Sequence, residues 1–509
     1  MKKNHLALGM LFLSIASQAQ TPYELEKISS LDLTGTARYV GMGGAMNALG
    51  ADMSVAGTNP AGLALYRRGD LSLGAGLLSG AEQNDFQHHS GTQILFNHLG
   101  FVQTYNLDSG DGLQSVVFGL QYQRVKDFNR NVFVGGSTCG TTQLGQFANL
   151  VSQDLATPGT SAAENAGLVW QEDGKWYYDN SSGQDGSSYQ SNSKQWGGIS
   201  QFNFNLAGNI NDRVYLGVNV GLNNLNYHSY KEYTEYTPNG ENYSTATERR
   251  ISGTGVQVGF GIVVRPIEDS PFRFGISAVT PTYYESLKAR TRHELYCDGG
   301  VYFDDYAQSA RLDDYKFNVN TPWRFNLSLG HTIDNILAID AEYEYSKFSS
   351  TKVSYGDSWD GYGERDDDDA LNWDTEGILK GVHTFKLGAE LTVLPEMKIR
   401  AGYNYVSRPM YSDTYMSPDV CSELYRYCYP ETDYTNLSPI NRFTCGLGFA
   451  FDKMYLDMAY QYQHQTGQFY AYDDQYASTG QGNRYVSYLK PQKTDLSKHT
   501  FQVTLGYRF

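Results

Sequence analysis

His499-Thr500-Phe501-Gln502-Val503-Thr504-Leu505-Gly506-Tyr507-Arg508-Phe509 decides how the rest of the chain is read. Phe501, Val503, Leu505, Tyr507 and Phe509 share one parity, and Thr500, Gln502, Thr504, Gly506 and Arg508 share the other. Alternate side chains of a strand point to opposite faces, so this segment makes a strand with one apolar and one polar side. Taken alone it also suits the last strand of a soluble sandwich, and the remainder of the chain must choose.

The pattern recurs. Val116-Phe118-Leu120-Tyr122, Val214-Leu216-Val218-Val220-Leu222, Trp323-Phe325-Leu327-Leu329 and Phe385-Leu387-Ala389-Leu391-Val393 each alternate with polar or small residues. Strands are expected near 70–80, 94–106, 114–126, 197–210, 213–228, 251–265, 271–284, 322–332, 336–348, 380–394, 396–408, 438–452, 454–465 and 498–509. Each is long enough to cross a bilayer when tilted, for which about 9–11 residues are needed. Tight turns such as Asn211-Asp212, Asp334-Asn335 and Asp452-Lys453 alternate with long connections at 81–93, 127–196, 229–250, 285–321, 349–379, 409–437 and 466–497. Short turns at one end and long loops at the other belong to outer-membrane barrels, and a sandwich has no reason to segregate them. The expected fold is therefore all-β: a transmembrane antiparallel β-barrel of about 14 strands. A strand closing the chain on Phe509 resembles the assembly signal of such barrels, which implies the outer-membrane bilayer and the barrel assembly machinery as partners.

The other end reads as an export signal. Lys2 and Lys3 precede an apolar run from Leu6 to Ala16, and Ser17-Gln18-Ala19 offers small residues for cleavage, expected after Ala19. Location in the outer membrane of a Gram-negative bacterium follows. Beyond this run no stretch of ~18 apolar residues exists, which excludes helical spans. The chain is rich in Tyr (41), Phe (24) and Gly (53), yet its mean hydropathy is −0.48, as alternation predicts. A formal charge of −16 argues against nucleic acid as a partner. The acidic run Glu364-Arg365-Asp366-Asp367-Asp368-Asp369 suits a solvated loop tip better than a cation site. Of five cysteines, Cys421 and Cys428 are the best disulfide pair, Cys139 and Cys297 lie in two other loops, and Cys445 takes a lipid-facing parity. Their spacing fits no zinc site, and neither metal nor cofactor is expected.

About 50 residues, Gln20 to Gly69, precede the first strand and lack long alternation. They are glycine- and alanine-rich, as suits a small domain tucked into the barrel at 70–509. Gly35 to Gly50 is followed by an Asp52-containing turn and then Asn59-Pro60-Ala61-Gly62-Leu63-Ala64. This arrangement resembles the FadL/TodX family of outer-membrane transporters for long-chain fatty acids and aromatic hydrocarbons. The resemblance is close over about 30 residues. It implies a 14-stranded barrel plugged by an N-terminal hatch carrying the motif at Asn59, Pro60 and Ala61. It also implies passive uptake of hydrophobic cargo and a lateral exit near a kinked third strand, where Gly119 lacks side-chain bulk. The bland reading of Asn59-Pro60-Ala61 is a turn launching the first strand. Gly41, Gly43 and Gly44 are read as close-packing positions of the hatch, because Met46 replaces the third glycine of a dinucleotide loop and no βαβ unit surrounds it.

Parity also predicts the lumen. Asp340, Glu342 and Glu344 form an inward acidic row, faced by Arg324, Lys386, Glu390, Lys398 and Arg400. Pairing of these charges, with contact to the hatch, is the favoured expectation. Contact of a cargo carboxylate with Arg324, Lys386 or Arg400 is the alternative. In the longest loop Leu144, Phe147, Leu150, Val151 and Leu155 share a helical face, suited to packing or to a surface groove. Rival functions are a general diffusion porin, and a surface adhesin or receptor acting through its loops. An enzyme is not expected, since His88, His89, His98 and His383 show no local catalytic constellation.

Overall fold

The computed structural model describes residues 21–80, 92–107, 112–138, 140–152, 158–179, 187–238, 242–297, 300–303, 315–356, 365–412, 433–472, 476–479, 482–485 and 490–509. The expected signal peptide, Cys139, Cys421, Cys428, Leu155, His88 and His89 lie outside these residues.

Fourteen strands close an antiparallel barrel. They are β1 (Asp70–Gly80), β2 (Thr92–Asn106), β3 (Leu113–Asp127), β4 (Ser188–Ile210), β5 (Val214–Tyr236), β6 (Asn242–Val264), β7 (Arg273–Val279), β8 (Arg324–Ile333), β9 (Leu337–Lys347), β10 (Gly381–Leu394), β11 (Met397–Val406), β12 (Ile440–Phe451), β13 (Met454–His464) and β14 (Lys498–Arg508). Each pairs with its neighbours in chain order, and β14 closes on β1 from Asp70↔Arg508 to Gly80↔Lys498. Closure leaves no edge, which a sheet in hydrocarbon requires. Asn211, Asp212, Asp334 and Asn335 take φ between 48° and 55°, the left-handed pair that turns two-residue hairpins.

Side chains sort as the alternation requires. Leu216, Val218, Val220 and Leu222 on β5, and Phe501, Leu505 and Tyr507 on β14, are exposed on the outer wall. Their counterparts form an apolar band of the kind a bilayer covers. Cys445 is exposed on the same surface. Inward-facing Gln121, Asn203, Gln201 and Asn223 bond one another across strands.

Four strands depart from the expected lengths. β4, β5 and β6 each run 23 residues, far beyond the bilayer, so much of 188–196, 229–236 and 242–250 is strand rather than loop. Alternation persists there, with Tyr189, Tyr233 and Tyr243 buried on the inner side. The expected strand 271–284 is broken: β7 ends at Val279, and pairing to β6 resumes at Tyr283↔Val256. Pro281 between them has no N–H to give the ladder. The resumed strand, Tyr283–Cys297, continues the wall outward with a partner at Tyr315–Asn320.

Residues 21–69 sit inside the barrel. Helix α1 (Pro22–Ser29) starts at Thr21, whose hydroxyl accepts from Glu24 N–H, with Pro22 in the first turn. Its Leu25 and Ile28 pack with Val125, Phe128, Leu225 and Leu287 of the wall and its extension. Helix α2 (Ala37–Gly41) is capped by Thr36, and 3₁₀ turns follow at Met53–Gly57 and Pro60–Leu65. Val102, Val117, Ala207 and Val263 break the polar-inside rule because they cover the Pro60–Leu65 turn. Outside the band, α3 (Gln143–Ser152) buries Leu144, Phe147, Leu150 and Val151 against Tyr243 and Leu295, so that helical face serves loop packing. Asp368 of the acidic run caps α4 (Asp369–Ile378) by accepting from Leu371 N–H, while Asp366 and Asp367 are exposed.

Candidate functional site

The plug is held at three levels. At its lowest turn, Asn59 Oδ1 accepts from Ala61 N–H at 3.2 Å and starts the Pro60–Leu65 turn. Wall residues opposite it are glycines. A Cβ on Gly217 would strike the Pro60–Ala61 peptide, and one on Gly261 would strike the Asn59 side chain. The motif is therefore seated in a hollow made by missing side chains.

The middle level uses the acidic row. Glu342 Oε1 accepts from Met46 and Asn47 N–H at 2.7 and 2.6 Å, and its Oε2 accepts from Asn47 Nδ2 at 2.9 Å. Asp340 Oδ2 accepts from Ala48 and Leu49 N–H at 3.1 and 2.9 Å. Alternation on β9 spaces both carboxylates onto one turn of the plug. Beside it, Gly43 (φ 64°) lies against the Gly402–Tyr403 backbone, Gly44 (φ 78°) against Leu33 and Tyr39, and Gly41 against Gly446 and Arg400. Gly43 O accepts from Asn404 Nδ2 at 3.2 Å and Gly41 O from Thr444 Oγ1 at 3.1 Å.

The third level is a charge cluster. Arg38 of α2 pairs with Glu390 at 2.9 Å, Glu390 with Lys398 at 2.9 Å and Arg400 at 2.7 Å, and Arg400 with Asp457 at 2.5 Å. Lys386 pairs with Glu342 at 3.3 Å and Glu344 at 3.2 Å. Two of the three candidate cargo cations, Lys386 and Arg400, are thus neutralised by neighbours. Arg324 differs: its backbone is in the ladders of β7 and β9, but among the described residues its guanidinium makes no hydrogen bond or ion pair.

Arg324 lines a cavity of about 800 Å³ between the plug and the outer layer. Leu78, Val125, Phe128, Phe348, Val382 and Val406 give it apolar walls. Lys126, Arg442 and Lys498 make part of it cationic, with Asp32 of the plug 3.5 Å from Lys126 and 3.9 Å from Arg442. Sequence reading missed this cluster because Lys126 and Lys498 sit at strand ends, where parity is hard to assign.

Gln93 of β2 and Gln123 of β3 line the same cavity. The β2–β3 ladder runs from Asn106↔Ser115 to His98↔Gln123 and stops. Beyond it, residues 92–96 pair only with β1, and 124–127 pair with β4. Ile94 there is 83% exposed. Gly119 lies in an unshifted part of both ladders, while the irregularities in β3 fall at Leu113/Ser115 and Arg124/Lys126. The second strand carries its own bulge at Asn97, which turns both Asn97 and His98 inward.

His98 and Ser72 lie 2.8 Å apart, a pairing that invites a hydrolase reading. Gln121 Nε2 lies 3.5 Å from His98 Nδ1, and its amide is oriented by Asn203, which donates to its Oε1. That leaves the proton on Nε2, so the imidazole donates toward Ser72 and is not its base.

No protein-family model matches the sequence, and no curated protein matches it. Solved structures do. The P. putida toluene transporter TodX is 13% identical, with a TM-score of 0.52, over 94% of this chain and 99% of that one. A Pseudomonas aeruginosa FadL homologue is 12% identical, with a TM-score of 0.49, over 94% and 99%. The Ralstonia pickettii toluene transporter TbuX is 12% identical, with a TM-score of 0.47, over the same shares. The fold is that of the FadL/TodX barrels. Within that FadL/TodX-type barrel, the Asn59-Pro60-Ala61 seat, the carboxylate latch on Met46–Leu49 and the cavity above them form the candidate site.

Proposed function

We propose that this chain is an outer-membrane channel for passive uptake of hydrophobic or amphipathic small molecules, such as long-chain fatty acids or aromatic hydrocarbons. The observation that carries the reading is the cavity above a plugged lumen, lined by both apolar and cationic side chains. Its volume is in the range that encloses a drug-sized or lipid-sized ligand. Cargo enters from the long-loop side, places apolar length against Val125, Phe128 and Val382, and presents any acidic group to Arg324. Arg324 takes that role because Lys386 and Arg400 are already paired. Residues 20–69 act as the hatch, with Asn59, Pro60, Ala61, Gly41, Gly43 and Gly44 as its seating points. Exit is lateral, through the wall where β2 and β3 part beside Gln93 and Gln123. The likeness of fold to TodX supports the reading, as does the exposed apolar band. Export under the segment 1–19, cleavage after Ala19, and assembly into a Gram-negative outer membrane through the β14 strand ending at Phe509 complete it.

Uptake of a labelled long-chain fatty acid into liposomes, with intact protein and with protein lacking residues 20–62, tests the proposal. Saturable uptake by the intact form, lost together with a rise in general leak in the deleted form, is expected. Free passage of small sugars through the intact form with no fatty-acid uptake would make it a porin. Neither activity, with ligand binding lost on loop deletion, would make it a surface receptor.

A further inference from the structure

The outer wall carries a second polar surface, above the apolar band on β6 and the strands beside it. Val256, Phe260 and Ile262 of β6 and Tyr283 of the next strand are exposed and end the band on this side. Further out on the same face stand Lys288 and Arg290, with Lys316 on the following strand and Arg250 on β6, all exposed. Register sets them against one another: Lys288 is directly opposite Lys316, and Arg290 directly opposite Arg250. Directly opposed like charges destabilise a sheet, at Cβ separations of about 5 Å, unless an anion lies between them. Glu248 engages Arg250 from the same strand, which leaves the Lys288–Lys316 pair as the centre of the patch. Four residues separate Val256 from Ser252, the partner of Lys288. At a tilt of about 40° that is about 10 Å above the hydrocarbon edge, the depth of headgroups.

We propose that this patch binds the phosphate groups of a lipid headgroup in the leaflet on the long-loop side. Two opposed ammonium groups on one rigid wall suit a phosphate, which accepts several N–H bonds at once. The lipid's acyl chains then lie on Val256, Phe260 and Ile262. The site is on the outside of the barrel and independent of the cavity; it rests on the membrane-spanning reading of the chain.

Native mass spectrometry of the detergent-solubilised full chain, titrated with bisphosphorylated lipid A and with the same lipid after dephosphorylation, tests it. The wild type is expected to retain the phosphorylated lipid and not the dephosphorylated one, and retention is expected to fall as salt rises. K288Q/K316Q is expected to weaken retention by about tenfold or more, K288R/K316R to restore it, and K453Q, at the opposite rim, to leave it unchanged. Equal retention of both lipids by the wild type, or wild-type retention by K288Q/K316Q, overturns the proposal. Insertion of the same protein into neutral phosphatidylcholine liposomes reports separately on the membrane-spanning reading.

Discussion

Asn59 shows how little side chain the plug needs at its seat. Its carboxamide turns its own backbone, and Gly217 and Gly261 give up their side chains to admit it. Gly217→Val must therefore displace the Pro60–Ala61 peptide, at a cost of about 1–3 kcal/mol for overpacking. The expected outcome is faster amide exchange at 59–65 and raised leak of small solutes from proteoliposomes, with the barrel intact. Glu342 carries more: two backbone N–H groups, two side-chain amides and Lys386 end on one carboxylate. Glu342→Gln removes the charge and leaves a buried group partly unmatched, a change worth about 3 kcal/mol. Amide exchange at Met46 and Asn47 is then expected to rise by about a hundredfold.

At the scale of elements, the long strands β4, β5 and β6 and the outward continuation at Tyr283–Cys297 form a collar beyond the bilayer. His293 is buried in it, bonded at Nδ1 to Thr247 Oγ1 at 3.1 Å. Burial, with Arg249 and Lys231 nearby, pushes its imidazole down to about 3. A depressed folded value means the neutral form is the folded one. Its contribution is complete above the ordinary histidine value and is lost as pH falls from about 6.5 toward 3. At pH 5 the collar is expected to be less stable by about 2 kcal/mol than at pH 8. Amide exchange along 243–250 and 291–296 measured at both values checks this, and His293→Gln is expected to flatten the difference. The same elements explain a misreading of length: burial still alternates along 188–196 and 229–236, but polar residues stand on both faces because solvent and loops, not lipid, lie outside, so the apolar/polar sequence signal is lost.

For the whole molecule, permeability follows from what fills the lumen. A 14-stranded wall alone holds an aqueous channel, and residues 21–69 close it below the cavity. Planar-bilayer conductance is expected to be small for the intact chain and to rise by about tenfold or more when residues 20–62 are removed. The barrel was legible in the sequence because a strand facing lipid on one side and water on the other must alternate, and because short turns and long loops alternate with it. Strand number, the turns at Asn211-Asp212 and Asp334-Asn335, and the inward charges on β8 to β11 follow from that constraint alone. What each charge does was decided only by the tertiary structure. Parity places Arg324, Lys386 and Arg400 in the lumen alike, yet partners brought from strands and plug residues far apart in sequence neutralise two of them and leave Arg324 to the cavity. The same holds for the wall glycines and for the parting of β2 from β3. Close approach and ladder termination depend on which surfaces meet, and a one-dimensional pattern records only which way each residue faces.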